Sequence, residues 1–377
     1  MKRHLVLVLG VFLLVGCRDA NLAGPAPSPG FSRNLPAPGA RGITVMTRNI
    51  YLGAELSPVI AAPDVPSLIA AATAAFATIE QTNFPERAQA LADEIASTRP
   101  HLIGMQEVER YDVVSATDGT PVRTIDFLAI LLDALAARGL DYVEAASNTG
   151  FSAGAPGFVS GFPGLTFIQL TDRDVILARN DDEVAWSDPR NDDYAARVPI
   201  SIAGTPLFIV RGWASVEATV AGVTFRFVDT HFETQGAGPI QEAQASELVN
   251  AVVGNEPLPV VLVGDFNSAA NFFQTGSYDS IVNHGFVDAW AQAHPREPGL
   301  TCCQAERLDN TISQLDQRLD IVFLRGGVGE QSGRIAGAVS VDIVGESPAD
   351  RTTSGLWPSD HAGVVARLTL PPQVARN

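Results

Sequence analysis

Six times in this chain a short polar cluster meets an apolar run. Thr47-Arg48-Asn49 closes the run that begins at Ile43, and Gln106-Glu107 closes the one that follows His101. Asp229-Thr230-His231 and Gly264-Asp265-Phe266-Asn267 close two more. Arg318-Leu319-Asp320 leads into Ile321-Val322-Phe323, and Ser359-Asp360-His361 precedes the last run. Short apolar runs rich in β-branched residues and bounded by turn-forming residues read as strands. Strand ends in one sheet can share an edge, so a chain patterned this way is constrained to a sheet-built fold in which six polar stations can face one cleft.

Between these runs lie fewer helices. Residues 85–99 have helical periodicity, with Ala88, Leu91, Ala92 and Ile95 on one face, Pro85 suited to the start and Pro100 following the end. Residues 123–137 and 239–253 also read as helices, the second with Pro239 at its start and Gly254 just past its end. Further strands are expected at 43–48, 101–107, 142–145, 174–178, 207–213, 223–229, 258–264, 320–324 and 364–370. Residues 148–167 are rich in Gly, Phe and Pro and carry no charge. They read as a long loop, either functional or an apolar flap packed on the body. So many strands with few helices predict two sheets covered by helices and argue against a single doubly wound sheet. Hydrophobic residues make up 46% of the 377, enough for a sizeable core.

The first residues read as an export signal and not as part of the fold. Lys2 and Arg3 precede an apolar run of 11 residues from Leu5 to Val15, short for a membrane span. The run ends Leu14-Val15-Gly16-Cys17, which resembles the bacterial lipobox, whose cysteine is acylated and becomes the new N-terminus. Residues 21–41 hold five prolines with Gly, Ala and Ser, the composition of a tether. The expected organisation is a signal peptide at 1–16, lipidated Cys17 with a tether to 41, one domain at 42–371 and a tail at 372–377. The protein is thereby expected to be exported to the cell envelope and anchored to a membrane by lipid.

The formal charge is −17, and removal of Lys2 and Arg3 with the signal makes it −19. No basic run occurs, which counts against tight nucleic-acid binding through Lys and Arg phosphate contacts unless a cation reverses the local field. Apart from Cys17, the cysteines are the neighbours Cys302 and Cys303. An oxidising compartment permits them a vicinal bridge; otherwise they stay reduced and buried. In either state they are expected to be structural.

The polar stations suggest a chemistry. Glu107, Asp265, Asp320 and Asp360 are oxygen ligands or bases of the kind that Mg²⁺, Mn²⁺ or Ca²⁺ prefers. His231 and His361 can hold a phosphoryl group, donate a proton or activate water. Asn49 and Asn267 can bind an oxyanion without adding negative charge. Phosphoester hydrolysis needs these three functions together: a cation, a water activator and oxyanion donors. No Gly-x-Ser-x-Gly elbow or Walker-type glycine loop is present, so serine hydrolase and NTPase readings lose support.

In the order MTRN, MQEVE, DTHFE, VGDFNS, RLDIVF and SDH, the chain resembles the endonuclease/exonuclease/phosphatase family over residues 43–370. The resemblance implies a four-layered α/β sandwich, two mixed β-sheets face to face with helices outside. It implies Glu107 as principal metal ligand with Asn49 beside it, and Asp360 as a further ligand or part of the metal's shell. It casts Asp265 as the residue that orients or deprotonates water. Asn49, His231, Asn267 and His361 would face the phosphate, with Asp320 orienting His361. Asp229 stands where many members have Asn, and Glu233 is not a general feature. The opening MTRNIYLGAEL, with Tyr51 and Glu55, and the TCCQ segment resemble a bacterial subgroup.

The family includes deoxyribonuclease-like nucleases, abasic-site endonucleases, sphingomyelinases and inositol-phosphate phosphatases, so nucleic acid, a lipid headgroup and a small phosphoester all stay open as substrates. The leading expectation is an exported phosphodiesterase or phosphatase with no obligate protein partner. The alternative is a binding module that has kept the fold and lost the chemistry.

Overall fold

Residues 42–272, 274–327 and 338–370 are described by the computed structural model of the chain. The expected signal peptide, Cys17, the tether and the tail at 372–377 lie outside the described residues, and among these no helix is long and apolar enough to cross a membrane.

The chain first lays down β1 (Ile43–Asn49), α1 (Ser57–Ile60), α2 (Val65–Gln81), α3 (Phe84–Thr98), β2 (Leu102–Gln106), β3 (Arg110–Ser115), β4 (Pro121–Asp126), α4 (Phe127–Ala136), β5 (Tyr142–Gly157) and β6 (Thr166–Arg179). It then builds β7 (Val184–Asp193), the hairpin β8 (Val198–Ile202) and β9 (Thr205–Ile209), β10 (Gly212–Val220), β11 (Val223–His231), α5 (Gly238–Glu247), β12 (Val260–Asp265), α6 (Ser277–Asn283), β13 (Val287–Asp288), α7 (Ala289–Ala293) and β14 (Asp320–Arg325). Finally β15 (Ala338–Val344) and β16 (Gly363–Leu368) return to the first sheet. That sheet runs β15-β16-β1-β2-β6-β3-β4, with β5 also paired to β6; the second runs β13-β14-β12-β11-β10-β7.

Strand alternation explains the layers. Val45 and Ile176 of the first sheet meet Phe227, Val263 and Val322 of the second in one buried layer. On the other face of the first sheet, Met46, Ile103 and Leu177 pack against Phe76, Leu91, Ile95 and Leu131 of α2, α3 and α4. On the far face of the second, Val228, Leu262 and Phe323 pack against Ala245 of α5, Leu248 and Ile281 of α6. Side chains one residue apart point to opposite faces, so strands apolar at every position must be covered on both sides. The result is the four-layered α/β sandwich.

Register makes the six stations converge. Each sheet holds one central parallel pair, β1 with β2 and β11 with β12, so that Asn49 lies beside Gln106 and His231 beside Asp265. The antiparallel neighbours begin where these strands end: Asp265 faces Asp320 on β14, and Thr47 faces Val364 on β16, three residues after His361.

Several expectations need correction. Residues 148–157 are not loop but the second half of β5, paired with β6 from Asn148–Asp174 to Gly157–Thr166. Their Gly and Pro lower strand propensity, but a full partner strand overrides it. The helix expected from 123 begins at Phe127, because residues up to Asp126 pair with β3 and Asp126 then caps the helix by accepting from the Ala129 N–H. The strand expected over 207–213 is broken after Ile209, and Gly212 starts a new one. The alanine-rich helix α2, capped by Asp64, was not anticipated.

Candidate active site

The site straddles both sheets. Asn49, at the end of β1, donates from Nδ2 to Glu107 Oε1 and to Asp265 Oδ2, each at 3.1 Å, and the second bond crosses from the first sheet to the second. The Leu52 N–H donates to the other Glu107 oxygen at 2.6 Å. Asp265 Oδ2 also lies 3.5 Å from His231 Nε2 and 3.7 Å from His361 Nε2. Asn267 Nδ2 is 3.2 Å from His231 Nε2 and donates to Phe232 O. Asp320 Oδ2 is 2.8 Å from His361 Nδ1. Asp360 is half-buried beside these groups and interacts electrostatically with His361 and Glu107. All eight candidate chemical residues, Asn49, Glu107, His231, Asp265, Asn267, Asp320, Asp360 and His361, therefore gather at one place.

The local backbone is shaped for this. Glu107 and Asn267 have φ of 57° and 48°, a left-handed conformation that is sparse for such residues and gathers at functional sites. Gly264, just before Asp265, approaches β11 so closely that a Cβ there would lie 2.0 Å from Thr230 O.

Burial and neighbouring charge set the protonation states. Burial pushes Asp265 up to about 6, Asp320 adding to the effect and His361 opposing it. Asp360 likewise rises to about 6 through burial, and burial also raises Glu107. The two histidines diverge. Burial works against the charge of His361, but Asp320, Asp265 and Asp360 outweigh it and hold the imidazolium well above its usual range. Burial, Arg211 and His361 push His231 well below. Environments that drive two such groups apart separate their chemical roles. Arg211 Nη1 lies 3.0 Å from His231 Nδ1. A guanidinium can only donate, so Nδ1 of neutral His231 accepts and its ring proton sits on Nε2, facing Asp265.

Other supporting residues were not picked out in the sequence. Arg211, in the break between β9 and β10, is held among Asp172 at 3.3 Å and Glu233 at 3.8 Å, and Asp174 lies 3.8 Å from His231. The signal was present in acids spaced by two: Glu107 with Glu109 in the turn between β2 and β3, and Asp172 with Asp174, which share a face of β6. Arg87, buried on α3, donates to the carbonyls of Ile50, Tyr51, Thr82 and Pro358, tying the loop after Asn49 to the loop before Asp360. Arg48 pairs with Glu94 at 2.9 Å, both fully buried, and donates to the His361 carbonyl.

Some residues fall elsewhere. Asp229 lies between the sheets, accepting from Gln106 Nε2 at 2.6 Å. Glu55 is exposed, and the buried Tyr51 hydroxyl donates to the Glu306 carbonyl. Cys302 and Cys303 form a vicinal disulfide, and Cys303 Sγ lies 3.9 Å from His361 Nε2, so the pair forms part of the wall of the site.

The donor set suits a hard divalent cation. Glu107 and Asp360, both half-buried, and buried Asn49 offer oxygens in a strongly acidic place, and carboxylates keep acceptor capacity beyond the hydrogen bonds described.

A model of the endonuclease/exonuclease/phosphatase family matches residues 79–361. Comparison with curated proteins gave no match. Among solved structures, TDP2 from D. rerio, crystallised with a single-strand DNA product, superposes with TM-score 0.52 at 14% identity, covering 87% of this chain and 99% of that one. An endonuclease/exonuclease/phosphatase family protein from Leptotrichia buccalis gives TM-score 0.52 at 16% identity, covering 87% and 100%. At these identities the likeness is one of fold.

Proposed function

The chain belongs to the endonuclease/exonuclease/phosphatase family, and from that premise we propose that it hydrolyses a phosphoester with the help of a divalent cation. The observation that carries this reading is the convergence of Asn49, His231 and His361 on the Asp265 carboxylate across the junction of the two sheets.

Each group has a part that its surroundings support. A base works best with a pKa near the working pH, and Asp265, raised to about 6, is suited to orient a water and take its proton. His361, held charged and oriented by Asp320, donates from Nε2 to a phosphoryl oxygen. Neutral His231 offers Nε2–H to a second oxygen or to the leaving group. The amides of Asn49 and Asn267 add donors that cost no negative charge against an anionic substrate. Glu107 and Asp360, with Asn49, would hold Mg²⁺, Mn²⁺ or Ca²⁺, which when bound offsets phosphate charge and polarises the phosphorus centre. The D. rerio neighbour with its DNA product supports a phosphodiester among the candidate substrates.

The test is hydrolysis of bis-(p-nitrophenyl) phosphate with Mg²⁺ or Mn²⁺ and with EDTA, followed by plasmid DNA, RNA, sphingomyelin and phosphatidylinositol. Metal-dependent turnover is expected, with a weaker metal response in Glu107→Gln. Absence of turnover on every substrate would favour a binding module. Unchanged metal dependence in Glu107→Gln would remove Glu107 from the ligand set.

The proposal includes export and attachment to a membrane through acylated Cys17, supported by Lys2, Arg3 and the apolar run that ends at Cys17. Cys17→Ser should release the protein from the membrane fraction; a variant that still sediments with membranes would refute the anchor.

A further inference from the structure

Beside the catalytic residues the protein carries an apolar pocket that the chemistry above does not use. It opens between α1 and α2 on one side and the β5–β6 pair on the other, with Ile202 of the β8–β9 hairpin at its edge. About 580 Å³ of space there is free of protein atoms, part of it open to solvent, and almost no polar atom lines it. Phe76, Ile79, Tyr111 and Ile168 form a buried floor, while Val59, Ile60 and Phe151 stand half-buried at the mouth.

The floor is joined to the site. The Tyr111 hydroxyl donates to Leu52 O at 2.7 Å, and the Leu52 N–H donates to Glu107 Oε2 at 2.6 Å. One residue therefore separates the apolar wall from the expected metal ligand. The surroundings are apolar too. Of the seven large hydrophobic residues exposed among the described ones, Val65 starts α2, Phe158 follows β5 and donates its N–H to Thr73 on α2, and Phe208 sits on the hairpin that carries Ile202.

A pocket without polar partners rewards hydrocarbon and penalises a nucleobase, whose ring donors and acceptors would lose water with no replacement. The net charge of −17 likewise gives an extended polyanion little to hold. We propose that the pocket takes an alkyl or acyl chain of the substrate, so that the phosphoester is amphiphilic, with its phosphate at His231, Asp265 and His361 and its chain between α2 and β5. This rests on the reading of the site as a phosphoesterase centre. Chain binding can nevertheless be measured without turnover.

The test uses the full chain and two esters below their micelle concentrations, p-nitrophenyl ethyl phosphate and p-nitrophenyl decyl phosphate. Each methylene buried by the pocket should raise kcat/KM roughly fourfold, so the decyl ester should lead by at least about tenfold. Ala155→Trp and Ala75→Trp, at half-buried positions of the lining, should bring that ratio toward one, with circular dichroism to show that both variants fold. A wild-type ratio near one, or a ratio unchanged in both folded variants, would overturn the proposal. So would a tryptophan-sensitive gain for thymidine 5′-(p-nitrophenyl phosphate), which would assign the pocket to a base. If neither alkyl ester nor any substrate of the panel above is cleaved, the phosphoesterase reading fails on its own. Calorimetry with decyl phosphate then decides the pocket: binding weakened at least tenfold by Ala155→Trp retains it, and absence of such binding refutes it.

Discussion

Nδ1 of His361 lies 2.8 Å from Oδ2 of Asp320, and both belong to segments that begin where the central strands of their sheets end. The pair joins the two sheets as Asn49 and Asp265 do, and it holds the charge on the imidazole. Asp320→Asn keeps the shape and removes the anion. The turnover rate should fall by about 10²-fold, the lower end of what a positioned acid or base contributes, with a smaller change in KM. Steady-state kinetics checks this, and a wild-type rate would detach His361 from the chemistry.

The second prediction concerns Arg211 and His231. The guanidinium fixes which nitrogen of His231 carries the proton, with Nη1 and Nδ1 3.0 Å apart. Arg211→Lys preserves the charge among Asp172, Asp174 and Glu233 but loses the planar fork. The rate should drop roughly 10-fold or more while the thermal midpoint moves little. Equal losses of rate and stability would show that Arg211 is only structural.

Glu94 and Arg48 form a fully buried ion pair beneath the loop that carries His361. Glu94→Leu leaves the guanidinium buried without its partner, which costs about 3–5 kcal/mol. Urea unfolding should show a loss of this size. A near-neutral change would mean that Arg48 finds other acceptors.

A pH effect on stability is expected at the opposite end of β2 from Glu107. His101 Nδ1 accepts from the Thr44 N–H at 2.9 Å, which requires the neutral ring, and burial with Arg179 lowers its pKa. With the folded value below the unfolded one, its contribution is present above about pH 6.5 and is lost as pH falls through the folded value. His101→Gln should therefore flatten the decline in urea midpoint between pH 7.5 and 5. A decline as steep as in the wild type would assign it to other groups.

The sequence by itself determined the central strands of both sheets, the two-sheet class and the eight polar residues that gather at the strand ends, but not β3, β4, β7 or β15. Apolar periodicity and polar strand ends are local properties, and GDFN and SDH occupy single short stretches. It misjudged residues 148–157, because pairing with β6 comes from a distant partner and overrides the low strand propensity of Gly and Pro. Arg211, Asp174, Arg87 and Arg48 stayed hidden for a related reason. A lone charged residue in a sequence reads as solvated surface, and only the packing of the sheets and helices buries Asp174, Arg87 and Arg48 and half-buries Arg211. The apolar pocket, too, belongs to the tertiary structure: its walls come from α1, α2, β3, β5, β6 and β8, and no single segment records that their side chains leave a space between them.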